Sequence, residues 1–487
     1  MSDRKVARHA RALAAAALLA ALAGCAVGPD FVRPDAHAPE RFSGAAAPSP
    51  ADVSPDTASR AVAPVPGADP AFWRTFGDPE LTRLVEASLV ANHDIRIALA
   101  NHDRALALAR VARLDRYPTV TAAASASAAR SSAGQLPGVV RADRDTDSRG
   151  GEVAASWELD LFGRVRRSVE AQRADLAASA ADLGAVQVAI VGTVAQGYME
   201  LRGLQERLRV AKANAANQRD TLQVVITRVD AGRGTEFDTS RARAQLETTL
   251  SRVPALEAAV TVTLHRLAVL TGLTPDALTA TLGQAADLPA LPARIDPGTP
   301  GDLLRRRPDV IAAESRLHAA TARVGVAAAD LFPRFTLAGL VGTQAVDASA
   351  LFERDADTRL AALGVDWSFL DVGRVRARIA AANADSAAAL AGYEKAVLGA
   401  LEDTENALVR LAKARVEDAH LERAATDSAT AARLARLRFD AGAVDLLDVL
   451  DAERTLLTAQ DAFADARTRT ATATVALFRA LAGGYGS

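Results

Sequence analysis

Two short stretches of the chain alternate apolar and polar residues with a period of two. In the first, Val153, Ala155, Trp157 and Leu159 share one face, and Glu152, Ser156, Glu158 and Asp160 share the other. In the second, Leu363, Val365, Trp367 and Phe369 oppose Gly364, Asp366 and Ser368. Such alternation predicts strands with one apolar face, the pattern of a membrane barrel or of a half-buried soluble sheet. Each stretch is preceded, across a polar loop, by another strand-like run. The pairs are expected at about 119–130 with 151–162 and at about 334–345 with 360–371. The period then changes. From Gly163 to Ala231 and from Gly373 to Ala441 there is no proline. Leu183, Val186, Ile190, Val194, Tyr198, Leu201, Leu204 and Leu208 recur at helical steps, as do Leu390, Val397, Leu401, Leu408 and Leu411. A helix of about 70 residues would be about 100 Å long at a rise of ~1.5 Å per residue, which predicts a coiled-coil-like rod. Gly232 and Gly442 are placed to end the two rods at hairpin tips. Thr235 and Asp445 are placed to cap the returning helices, expected over 235–272 and 445–482.

These patterns occur twice because the chain is internally duplicated. His93-Asp94-Ile95-Arg96-Ile97-Ala98 aligns with Pro308-Asp309-Val310-Ile311-Ala312-Ala313, and Tyr117-Pro118 with Phe332-Pro333. Trp157-Glu158-Leu159-Asp160-Leu161-Phe162-Gly163-Arg164-Val165-Arg166 aligns with Trp367-Ser368-Phe369-Leu370-Asp371-Val372-Gly373-Arg374-Val375-Arg376, and Val229-Asp230-Ala231-Gly232 with Phe439-Asp440-Ala441-Gly442. Anchors in one order across both halves mark a repeat whose copies are spatial equivalents. The organisation read from this is a leader over 1–24, an arm over 25–70, a first repeat over 71–285 and a second over 286–487. Four strands cannot close a membrane barrel, since closure takes about eight. An open edge in lipid would leave backbone groups unpaired. Chains must therefore pool their strands, and two or three copies both satisfy the count.

Composition narrows the function. The 57 basic and 59 acidic side chains nearly cancel, giving a formal net charge of −2 and no field to attract nucleic acid. Hydrophobic residues make up 49% but aromatics only 4%, so the apolar content is small and suited to closely packed helices. No stretch of about 18 to 20 apolar residues stands out as a membrane-spanning helix. At the N-terminus, Arg4, Lys5, Arg8 and Arg11 precede an apolar run from Ala12 to Ala23, and Leu22-Ala23-Gly24-Cys25 has the form of a lipobox. The expected modification is acylation of Cys25, the single cysteine, which also rules out a disulfide framework. Ala26 stands where an Asp would favour inner-membrane retention, so the outer membrane is the expected address. The histidines lack metal-ligand spacing, and no nucleophile elbow, phosphate loop or zinc signature occurs. No enzyme activity, cofactor or metal is expected. Arg305-Arg306-Arg307 directly precedes Pro308-Asp309 and reads as a solvated or salt-bridged helix entrance. Asp78-Pro79-Glu80 reads as a cap with proline at the first helical position.

Cys25-Ala26-Val27-Gly28-Pro29-Asp30-Phe31-Val32-Arg33-Pro34, Trp73-Arg74-Thr75-Phe76-Gly77-Asp78-Pro79-Glu80-Leu81 and Leu303-Leu304-Arg305-Arg306-Arg307-Pro308-Asp309-Val310 together resemble the TolC/OprM-type outer-membrane efflux lipoproteins of the NodT-like group. The resemblance covers essentially the whole chain after the leader. It implies a mainly α fold with a membrane β-barrel: a homotrimer with a twelve-stranded barrel and a twelve-helix periplasmic tunnel. It also implies a periplasmic membrane-fusion adaptor and an inner-membrane RND pump as partners, with outer-membrane lipid engaged through Cys25. Trp157 and Trp367 would be barrel-strand aromatics. Asp448 and Asp451 resemble the paired aspartates that ring the periplasmic entrance, and Asp238 holds the matching place in the first copy. A spacing of three puts both acids on one helical face. An acid three residues after the cap Asp445 also complements the helix dipole with no further role. Relatives latch this entrance with an aromatic and an arginine; here Phe439 holds the aromatic position without a hydroxyl, and Val444 stands where the arginine would be. The leading expectation is a passive efflux duct for small toxic compounds. A duct for type I protein secretion and a non-conducting structural lipoprotein are the alternatives.

Overall fold

The computed structural model describes residues 26–36, 38–44 and 65–484. Leader residues 1–24 and Cys25 lie outside the described residues, as do residues 45–64 of the arm. The chain divides into two compact units, each drawing on both repeats.

The first unit comprises the described part of Met1–Pro34 with Asn101–Ser179 and Ala312–Tyr393. Its centre is a four-stranded antiparallel sheet in sequence order: β1 (Thr119–Arg130), β2 (Asp145–Leu159), β3 (Arg334–Ala345) and β4 (Asp357–Asp366). β1 pairs with β2 from Thr119↔Ser156 to Arg130↔Asp145, and β3 pairs with β4 from Arg334↔Asp366 to Thr343↔Asp357. β2 and β3 join the two repeats, from Arg149↔Ala345 to Leu159↔Phe335. β1 and β4 are the sheet's two edges, and every residue of β1 is exposed.

Two strand boundaries differ from the sequence reading. β2 starts at Asp145 rather than about 151, because residues polar on both faces still continue the ladder. Arg130 and Asp145 also form an ion pair across its last rung. β4 spans Asp357–Asp366 rather than 360–371, which corrects the placement of Trp367 as a strand residue. Trp367 turns out of the ladder and donates its indole N–H to the Leu331 carbonyl at 3.1 Å. Trp157, inside β2, does the same to Arg116 at 3.1 Å. In both copies the acceptor lies two residues before the proline that halts the preceding helix, since proline disfavours helical geometry in the residue before it.

Phe162 of the first repeat and Phe332 of the second stack at 4.6 Å. The described arm packs here too. Val27 N–H donates to the Phe162 carbonyl at 3.1 Å, Arg167 pairs with Asp30 at 2.6 Å, and Phe31 stacks on His318 at 4.4 Å.

The second unit holds Asp35–Ala100, Ala180–Ile311 and Glu394–Ser487, as far as these are described. The helices, in chain order, are α1 (Pro79–Ala91), α2 (His93–Leu114), α3 (Arg164–Asp230), α4 (Glu236–Leu250), α5 (Arg252–Leu270), α6 (Pro300–Arg306), α7 (Pro308–Ala329), α8 (Val372–Asp440) and α9 (Leu446–Ala480). α2, α3, α7 and α8 run from one unit into the other. α3 and α8 are uninterrupted over 67 and 69 residues, as the absence of proline allows. The returning helix of the first copy, read as continuous over 235–272, instead breaks at Ser251 into α4 and α5. Pro254 explains the break: it has no N–H for the preceding turn, and its ring clashes with the carbonyl four residues back. α9 has no proline and stays whole. Stretches within α3 and across α4–α5 are apolar enough over 18 residues to match a membrane span, more than the sequence reading allowed. In α3, Val191, Val194, Tyr198 and Leu201 are instead buried inside this unit.

The core of this unit gathers Phe72, Leu81, Leu84, Tyr198, Leu267 and Phe478, with Phe72 stacked on Phe478 at 4.7 Å. Asp78 caps α1, accepting from the N–H groups of Glu80 at 2.8 Å and Leu81 at 2.9 Å. Its other oxygen accepts the Tyr198 hydroxyl at 2.7 Å, so one motif fastens α1 to α3. The three arginines before α7 divide their work. Arg305 pairs with Asp302, and Arg306 donates to the Leu481 carbonyl. Arg307 is buried, forked onto Asp309 and reaching Asp403 and the Ala480 carbonyl. It is an internal clamp, so the solvated alternative does not apply to it.

Candidate functional site

The two hairpins, α3 into α4 and α8 into α9, start from the same local chemistry. Gly232 and Gly442 have φ of 71° and 73°, the left-handed conformation that glycine adopts without a Cβ penalty. Gly232 N–H donates to Val229 at 2.9 Å and Arg233 N–H to Arg228 at 2.8 Å; Gly442 and Ala443 repeat these bonds to Phe439 and Arg438 at the same lengths. Both are Schellman caps that satisfy the last carbonyls of the long helices.

Beyond the glycines the hairpins differ. In the first, Thr235 and Asp238 form a full capping box: Asp238 accepts the Thr235 N–H at 3.0 Å, and Asp238 N–H donates back to the Thr235 hydroxyl. Asp238 is thereby committed to holding its own helix start. In the second, Asp445 makes no side-chain cap bond, and Asp448 stands exposed in the first turn of α9. Asp451, one helical step on, is also exposed and pairs with Arg454. The structure thus leaves the two second-copy acids exposed and ties the half-exposed first-copy acid to its own helix cap.

Near the hairpins, Phe439 is one point where the copies meet. It is only 6% exposed. The guanidinium of Arg228, from α3, lies 3.8 Å from its ring centroid and donates to its carbonyl at 3.0 Å. A cation over a phenyl face is held by the ring quadrupole, by about 0.5 to 2 kcal/mol depending on desolvation. Val444 supplies no arginine here, and the one that lies against Phe439 comes from the other repeat. Sequence reading missed Arg228, because a basic residue in the last turn of a helix normally signals only dipole complementarity. Beneath this pair Val225, Ala242 and Leu450 form a small apolar core, and Gln245 donates to the Leu450 carbonyl at 3.1 Å. A cavity of about 470 Å³ opens beside them, lined by Arg228, Phe237, Asp238, Arg241, Phe439 and Leu450 among others. Nothing in this constellation can act as a nucleophile with its base. Among the described residues no group of three or more His, Cys, Asp or Glu is placed to hold a metal. The arrangement can hold helices together and present acids.

A family model described as "Outer membrane efflux protein" matches the chain twice, over residues 84–273 and 299–483. The outer membrane protein OprJ of Pseudomonas aeruginosa is 33% identical, with 97% of this chain and 96% of OprJ covered. The solved structure of the outer-membrane channel OprN superposes with a TM-score of 0.85 at 40% identity, covering 95% of this chain and 100% of OprN. The open state of the Neisseria gonorrhoeae MtrE outer membrane channel superposes with a TM-score of 0.81 at 27% identity, covering 95% of this chain and 99% of MtrE.

Proposed function

Since this chain belongs to the outer membrane efflux protein family, we propose that three copies close one conduit across the outer membrane, with the hairpin ends as its entrance. The chain is an outer-membrane channel for the efflux of small molecules, and it is not an enzyme. The observation that supports pooling of strands is the sheet itself: four strands in sequence order, with β1 and β4 left as edges. In hydrocarbon each unpaired backbone group costs several kcal/mol, so β4 of one copy must meet β1 of the next. Three copies give twelve strands and room for a water-filled bore, whereas two would fill with side chains. Cys25 is read as the acylated first residue of the mature chain. The arm after it is held by Asp30 and Phe31 on Arg167 and His318. A periplasmic membrane-fusion adaptor and an inner-membrane RND pump are the partners this reading implies. Energy then enters at the pump, and the duct stays passive.

At the entrance, Asp448 and Asp451 from three copies place six acids about one axis. Crowded acids repel anions and favour cations. Arg228 over Phe439 acts as the latch that holds each second-copy hairpin to the first. Planar-bilayer recordings of the purified protein test this: Asp448→Ala with Asp451→Ala should raise conductance and reduce cation preference. Wild-type values for both quantities would remove the acids from the gate. A deletion strain challenged with a panel of toxic compounds should become sensitive, and complementation by a Cys25→Ala variant tests whether acylation is required.

A further inference from the structure

About two turns into α9 from its start a second polar cluster is buried where α3, α8 and α9 pack together. Glu453 is 6% exposed. Its Oε1 accepts from the Thr221 hydroxyl at 2.8 Å and from Arg436 Nη2 at 2.6 Å. Arg436 also donates to the Thr221 hydroxyl and to the Asn217 carbonyl at 3.1 Å. Glu453 Oε2 has no partner and no contact with solvent. Gln218, 3% exposed, has neither amide atom partnered. Both side chains line one cavity of about 280 Å³. An orphaned buried polar atom costs about 1 to 3 kcal/mol, so three beside one cavity is a feature that packing alone would not favour.

The charges around Glu453 decide what would relieve it. From α8 the cavity receives Arg433, Arg436 and Asp440; from α3 it receives the neutral Asn214, Asn217 and Gln218, with Thr221 bonded to Glu453 beside them. α4 contributes no residue to the lining, and on α9 the nearby Asp451 and Arg454 are paired and exposed. With Glu453 ionised and paired to Arg436, two arginines balance two acids and no metal ion is required; Oε2 is nevertheless left without a donor. A proton on Oε2 would instead convert the unpaired acceptor into a donor, in a cavity shared with an unpaired amide oxygen.

We propose that Glu453 is a proton-operated lock: the packed helices bind a proton on its free Oε2 more tightly than separated helices do, and separation frees the carboxylate into water. The lock rests on reading the hairpin ends as the entrance. Burial pushes the Glu453 carboxyl above the usual glutamate range, and Thr221 and Arg436 pull it back without offsetting that. The packed state therefore binds more protons than the separated one. It gains stability as pH falls through the raised value towards about 4.3, and loses that gain as pH rises again.

The test uses the full-length protein in planar bilayers from about pH 4 to about pH 8, with Asp448→Ala and Asp451→Ala present so that those acids do not titrate. Conductance should fall on acidification, with the open-to-packed ratio changing by up to about tenfold per pH unit for one proton. Adding Glu453→Gln should leave conductance low and flat across the range. Thr221→Val, which keeps the acid but removes a bond to its ionised form, should move the midpoint up by about half to one pH unit. An unchanged pH curve in Glu453→Gln overturns the lock; if that variant fails to assemble, an unmoved midpoint in Thr221→Val does so. Hydrogen exchange of residues 217–221 and 450–456 separates the two readings. Protection that rises at low pH only when Glu453 is present, with conductance flat, supports the lock and removes the entrance assignment.

Discussion

The two hairpins share a glycine cap to within 2° in φ and bond for bond, yet they spend their acids differently. In the first, Asp238 closes a capping box with Thr235. In the second, Asp445 makes no side-chain cap bond and Asp448 stays exposed. Duplication supplied two equivalent helix starts. Only the copy whose cap does not need its third residue has an acid to present elsewhere. The long helices differ in a complementary way. Arg228 of the first copy crosses to Phe439 of the second, while their counterparts Arg438 and Val229 form no such pair among the described residues.

The sharpest way to break this comparison is to remove the ring. Phe439→Ala should destabilise the second hairpin by about 3 to 5 kcal/mol, the usual loss for a buried phenylalanine. Its counterpart Val229→Ala should cost much less, since Val229 is only partly buried. Protease susceptibility at residues 439–446 reports this, and equal cleavage in the two variants would mean that the copies are not specialised. Next in size, Arg228→Gln should cost about 1 to 3 kcal/mol, through the ring contact and the bond to the Phe439 carbonyl. Arg438→Gln should cost close to nothing, and thermal denaturation of the assembled protein compares the pair. Smaller still, Thr235→Ala should cost about 1 kcal/mol as a lost N-cap. Asp445→Ala is expected to cost only a few tenths, because its side chain makes no cap bond. Local hydrogen exchange in α4 and α9 resolves that difference, and equal losses would show the capping contrast to be without effect.

Much of this contrast was legible beforehand and part was not. The glycine stops, the cap at Thr235 and the helix start after Asp445 follow from local rules of backbone geometry, whereas the side-chain cap expected of Asp445 does not form. The break at Ser251 was equally local: Pro254 stood in the sequence, and the helical period on either side concealed it. The start of β2 at Asp145 escaped notice because residues polar on both faces carry no alternation signal, although the backbone ladder needs none. Arg228, Glu453 and the burial of Arg307 left no local trace. Each is a charged residue in a helix or at its end, a position that by default faces water.

The residue order alone thus determined the repeat, the strand pairs that cannot close alone, the proline-free helices and the glycine turns. These depend on φ, ψ and periodicity within a few residues of one another. Which charges are buried, which repeat supplies the arginine for Phe439, and which carboxylate is left without a partner were decided only when distant helices packed. Burial and pairing are properties of neighbours in space, and for these side chains the neighbours lie up to more than 200 residues away along the chain.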